Sequence, residues 1–155
     1  MKITTTRFGA IDVDEESVIQ VPGGIIGFAD HQRYVIIEHK PGSPFYWFQA
    51  LDRPELAFVI IDPLLFKPDY QIPMPQVLLD ELKAKDPGEL SIYVIVTIPP
   101  GRPQEMTANL IGPLVMNTRG RLAKQVVIDD DAYSLRHPLN SPAEPAKKTR
   151  EKSPG

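Results

Sequence analysis

Few side chains in this sequence could do chemistry, and their spacing brings none of them together. The three histidines are His31, His39 and His137. His31 and His39 stand in turns beside opposite ends of a strand-like run at 33–38. An extended run of that length holds them about 20 Å or more apart, too far to share a metal ion. Neither belongs to an HExxH or any spaced cluster of histidines and acids, so both read as surface turn residues. Ser17, Ser43 and Ser91 lack the GxSxG context of a nucleophile elbow. The run Asp129-Asp130-Asp131 suggests a cation site, but successive carboxylates on an extended chain point to opposite faces, and the run reads as the turn that ends a strand. Gly23-Gly24 and Gly27 match neither GxGxxG nor GxxxxGK[ST], and no helix follows to offer amide groups to a phosphate. Asp62 and Asp69, each beside a proline in a long aromatic loop, are the best-placed pair of acids. A small hydrolase would need such a pair in a cleft, yet loop acids usually cap local backbone amides. The chain has no cysteine, which excludes disulfides, thiol nucleophiles, iron–sulfur clusters and thiolate zinc sites. No catalytic residue, cofactor or metal is expected, and the protein is read as one that works by binding other proteins.

The elements that would carry such a surface are short strands. With 155 residues, of which 42% are hydrophobic, the chain has the size and core of one domain. Seventeen prolines punctuate its apolar runs, and short strands joined by turns tolerate this where long helices do not. Strand signals fall at 2–7, 11–13, 17–21, 33–38, 45–51, 56–61, 90–98, 106–110, 114–116 and 122–128. Residues 56–61 (LAFVII) are apolar throughout and read as a central strand buried on both faces. The one helical segment is 76–83 (QVLLDELK), with Val77, Leu78, Leu82 and Leu79 as its apolar stripe and Pro75 in its first turn. One helix cannot cover the faces of a parallel sheet. The expected fold is therefore mainly β: a single-domain antiparallel β-barrel-like fold with eight to ten strands and one short helix, spanning 1–139. Residues 140–155 (NSPAEPAKKTREKSPG) lose all apolar periodicity and are expected to be a disordered basic tail.

Charge narrows the partners. The formal net charge is −3. The stretch 140–155 holds four of the 17 bases and two of the 20 acids, leaving 13 bases against 18 acids before it, a net of −5. Such a body repels nucleic acid and suits a basic protein. Phe45, Tyr46 and Phe48 would be the stacking platforms of an RNA-binding barrel, but no base accompanies them in that strand, so no direct nucleic-acid contact is expected. The segment MKITTTRFGA lacks the apolar stretch of a signal peptide, and no run of 18 apolar residues exists. No membrane partner is expected, and the cytoplasm is the expected location.

Four groups of segments, in order along 1–139, resemble the bacterial flagellar assembly factor family FliW. The first is Phe8-Gly9 with GGIIGF at 23–28, where Ile26 stands in place of the family's usual proline. The second is 44–49 with 57–63, Phe66 and Asp69-Tyr70. The third is 97–99, 106–110, 113–115 and Asn117. The fourth is 124–127 with Tyr133, Arg136 and Pro138-Leu139. The resemblance implies a compact antiparallel β-barrel-like protein. It would bind CsrA, a small dimeric RNA-binding translational regulator, and antagonise it allosterically. It would also bind flagellin, and so couple flagellin synthesis to export. A dedicated flagellin chaperone that never meets CsrA is the alternative. The partner-binding candidates are Ile25 and Phe28 in the glycine-rich loop and Asp62, Phe66, Asp69 and Tyr70 in the proline-rich one. Both loops are the best exposed-hydrophobic candidates, with the acids and Tyr70 as a polar rim; the alternative is that their apolar side chains close the end of the core.

Overall fold

The computed structural model describes residues 1–139; the stretch 140–155, expected above to be a disordered tail, lies outside the described residues. Among the described residues eleven strands and one α-helix form. They are β1 (Lys2–Thr5), β2 (Gly9–Asp12), β3 (Ile19–Gln20), β4 (Arg33–Glu38), β5 (Tyr46–Ala50), β6 (Ala57–Ile61), α1 (Gln76–Glu81), β7 (Ser91–Thr97), β8 (Thr107–Ala108), β9 (Leu114–Asn117), β10 (Leu122–Gln125) and β11 (His137–Pro138). The number slightly exceeds the expected range because β3, β8 and β11 are two-residue strands.

Seven strands close a ring in the order β7-β6-β5-β4-β3-β10-β9, with β9 pairing back onto β7. Every junction is antiparallel except β3 with β10, where Leu122 lies beside Gln20 in parallel register. The ring closes because β7 divides one of its edges. Ser91, Ile92 and Tyr93 pair with β9, while Val96 and Thr97 pair with β8. β8 then carries β11 as a flap outside the ring. The mainly β, barrel-like expectation with one short helix is met.

Period-two alternation decides what fills the ring. Tyr34 and Ile36 of β4, Phe48 of β5, Phe58 and Ile60 of β6, Leu114 and Met116 of β9 and Ala123 of β10 share the inner core. Their neighbours face outward onto three separate covers. The β1–β2 hairpin lays Ile3 and Ile11 over Val35 and Ile37. Helix α1 lays Leu78 and Leu82 on Val115. The loop 62–75 and residues from 106 onward bury Val94, Val96 and Ile61. β6 is thus central, but its Ala57, Phe58 and Val59 are only half-buried.

Three element boundaries differ from expectation. Residues 15–17 form a 3-10 turn capped by the Asp14 carboxylate, which accepts from Glu16 N, so the strand expected at 17–21 shrinks to Ile19–Gln20. The final strand stops at Gln125 because the amides of Val126 and Ile128 donate to Pro113 and Ile111 carbonyls outside the ladder. Helix α1 ends at Glu81 and buries Leu78, Leu79 and Leu82, while Val77 is exposed. Positions 78, 79 and 82 share one side of a 3.6-residue helix, and Val77 falls off its edge. Asn117 ties that helix down: its Nδ2 donates to the Leu82 carbonyl at 2.8 Å and its Oδ1 accepts from Gly120 N.

Candidate functional site

The glycine-rich loop folds into the barrel. Gly23, Gly24 and Gly27 all have positive φ, a conformation that side chains with a Cβ rarely adopt. At Gly24 an added Cβ would lie 2.5 Å from the Phe28 carbonyl oxygen. The chain doubles back, Ile25 bridges Phe28, and Ile25 is only 2% exposed within the inner core. Phe28 meets the edge of Phe58 at 5.4 Å between centroids, and the Arg53 guanidinium lies 5.9 Å from its ring. Of the two readings of this loop, exposure and core closure, Ile25 takes core closure. Its exposed large apolar side chain is Ile26, whose amide donates to Gln125 Oε1 at 2.8 Å; Gln125 Nε2 donates in turn to the Gly112 carbonyl.

The proline-rich loop behaves differently. Asp62 Oδ1 accepts from Leu64 N at 2.9 Å, and Pro63 stands at the first position of the 3-10 turn that follows, the usual start of a helical turn. The turn leaves Leu64 52% and Leu65 62% exposed. Phe66 turns inward and stacks with His137 at 5.7 Å. Tyr70 is buried, so exposure fails there too: its hydroxyl donates to the Leu110 carbonyl at 2.6 Å and its ring lies 4.7 Å from Tyr133. Burial, reinforced by Tyr133, pushes the Tyr70 phenol well above its ordinary pKa. Asp69 is exposed and pairs with Lys67 Nζ at 3.0 Å, a hydrogen bond that holds its carboxyl below the usual range.

Between this loop and the barrel end lies a cavity of about 410 Å³, lined by Tyr46, Asp62, Leu64, Leu65, Leu90, Ile92 and Tyr93 among others. Tyr46 meets Tyr93 edge to face with centroids 6.2 Å apart. Burial, then Tyr46 and Asp62, raises the Tyr93 phenol above its ordinary value. The structure brings Asp62 and the wall of Tyr70 to this cavity. Ile25 and Phe28 lie elsewhere, Ile25 in the inner core and Phe28 beside the Arg53 guanidinium beyond the Ala50 end of β5. Asp62 caps Leu64 while Asp69 pairs with Lys67, so the two acids serve separate partners. Leu64, Leu65 and Tyr93 escaped the sequence reading, and Tyr46 entered it only as a candidate RNA-stacking platform. The signal for the leucines was available, since Asp-Pro marks a capped turn; the tyrosines meet only through strand pairing.

The remaining candidates settle into local roles. His31 Nδ1 lies 3.0 Å from Asp52 Oδ1, and His39 packs 6.3 Å from the Trp47 ring. Asp130 Oδ1 accepts from Ala132 N within the strand-ending turn. Asn109 Oδ1 accepts from Ile111 N. The three aromatics considered as RNA platforms do not share a surface: Phe48 is fully buried and stacks on Tyr34 at 4.5 Å, while Phe45 faces outward. Among the described residues no group of three or more histidines and acids could hold a metal ion, and no helix is long and apolar enough to cross a membrane.

The family model described as FliW protein matches residues 2–139. The chain belongs to the FliW family. It is 41% identical over 138 residues to the flagellar assembly factor FliW of Alkaliphilus metalliredigens, covering 88% of this chain and 85% of that protein. The FliW of Thermoanaerobacter pseudethanolicus is 40% identical over 140 residues, covering 90% and 93%. A crystal structure of the flagellar assembly factor FliW superposes with a TM-score of 0.83 at 31% identity, covering 92% of this chain and 99% of that one. These relatives and the solved structure share the description flagellar assembly factor, and that general role is the one the family match gives this chain. Within the FliW sequence pattern, Ile26 has a consequence that can be read directly. The amide that donates to Gln125 would be missing from a proline at that position.

Proposed function

We propose that this protein is a cytoplasmic flagellar assembly factor that binds and allosterically antagonises a CsrA-type translational regulator and also binds flagellin, coupling flagellin synthesis to export. The observation that carries the reading is membership of the FliW family across residues 2–139. Two physical features support it. The acidic body, net −5 over its first 139 residues, favours encounter with a basic RNA-binding protein. The exposed Leu64–Leu65 pair beside a cavity offers purchase for the apolar face of an amphipathic helix. Flagellin occupying the factor would leave the regulator active; export of flagellin would free the factor to capture the regulator.

Titrating the purified protein with CsrA and with flagellin by calorimetry tests this. Two measurable complexes are expected. Binding to flagellin alone would reduce the role to that of a dedicated flagellin chaperone. Absence of both complexes at tens of micromolar would defeat the proposal.

A further inference from the structure

The cavity at the mouth of the barrel has one formally charged lining residue, Asp62. Asp62 forms no ion pair among the described residues and accepts the capping hydrogen bond from Leu64 N. Its neighbours in the cavity include two tyrosine rings set edge to face and two exposed leucines. A half-buried carboxylate without a cationic partner favours a positive charge. Tyrosine faces add to that attraction when a cation lies within about 6 Å. The volume, about 410 Å³, is near the lower end of ligand cavities, roughly 300–1,000 Å³, and suits one or two side chains rather than a whole helix.

We infer that this cavity seats a lysine or arginine side chain presented by an amphipathic helix of a partner protein, with the cation on Asp62 beside the Tyr93 ring and the helix's neighbouring apolar residues on Leu64 and Leu65. The inference rests on the protein-binding role proposed above and assigns that role its anchor. Charge complementarity selects this occupant. An acidic peptide would meet the Asp62 charge, and a purely apolar one would cover the carboxylate without compensation. The leucine pair gives the helix its apolar footing, and the cavity behind it sets the register by accepting one long basic side chain whose stem can run along apolar walls.

The test separates charge from folding. Asp62→Asn keeps an oxygen that can accept from Leu64 N, so the turn keeps its cap while the charge is lost. Its melting temperature should match the parent protein. Calorimetry with purified CsrA and with purified flagellin should show affinity for at least one of them reduced about tenfold or more, the range expected when one member of a desolvated charge pair is lost. Tyr93→Phe keeps the ring and should change that affinity less than about twofold, whereas Tyr93→Leu removes the cation–π contact and should weaken it about threefold or more. Parent-like affinity of Asp62→Asn for both proteins would overturn the inference while leaving the proposed function intact. Failure of the parent protein to bind either would instead remove that function.

Discussion

Two loops of this protein look alike in sequence and do opposite things. Both place apolar residues among chain-breaking ones at an end of the barrel. In the 23–28 loop the breakers are glycines with positive φ, and the chain curls back to put Ile25 into the core. In the 62–75 loop the breakers are prolines, and the capped turn after Asp62 holds Leu64 and Leu65 out in water. Positive φ at the glycines lets the short loop return Ile25 to the core, while the turn begun by Pro63 holds Leu64 and Leu65 out before Phe66 and Tyr70 fold back in. One apolar loop thus plugs its end of the barrel, and the other displays two leucines at its end.

The largest test of that contrast is Ile25→Ala. It should lower stability by about 2–5 kcal/mol, the range for truncating a buried aliphatic side chain, and urea unfolding measures it. Gly24→Ala comes next. It forces a Cβ to within 2.5 Å of a backbone oxygen at a φ of 69°, so a loss of roughly 1–3 kcal/mol is expected, read as a drop in melting temperature. A parent-like melting temperature would show that the loop can open without cost, and the plug description would fail. On the displaying side, Leu64→Ala with Leu65→Ala should change stability by no more than about 0.5 kcal/mol per site, yet weaken the flagellin or CsrA complex. A large destabilisation would mean the leucines hold the fold together.

The smallest effect concerns pH. The Asp69 carboxyl is held below its usual range by Lys67. Its contribution is present above the unfolded-state pKa and is lost as pH falls through the depressed folded value. Both partners touch solvent, so the contribution is only ~0.2–0.5 kcal/mol. Lys67→Met should remove it, giving an acid-side stability profile slightly flatter than that of the parent. An unaltered profile would show the pair to be idle.

The barrel was legible in the sequence because alternation was. Tyr34 and Ile36 face inward while Val35 and Ile37 face outward, as the period of two requires. The boundaries at 17–21 and 122–128 were not legible, because local capping by Asp14 and the loop carbonyls of Pro113 and Ile111 won those amides from the ladder. The inward turn of Ile25 depends on the sign of φ at three glycines, which composition does not reveal. The candidate site was half visible: Asp62 stood out beside its proline, but Tyr46 and Tyr93 come together only because Tyr46 pairs with Ile60 and Ile60 with Ile95. Such adjacency is a property of register, and no spacing along the chain carries it.

The lone parallel junction gives the ring a clasp. The meander from β3 to β7 can assemble neighbour by neighbour, and β9 and β10 extend it, but the hoop is shut only when Leu122 reaches Gln20. The chain stretch spanning that closure is long, so the entropy of fastening it is paid late. With two residues on one side, the fastening is also slight. The seam sealed last should be the first to breathe: the Gln20 amide, which donates to the Arg121 carbonyl at 2.9 Å, should exchange its hydrogen sooner than the amides of β5 and β6. A barrel that springs open along one stave could widen its girth for a visitor without unravelling the staves themselves.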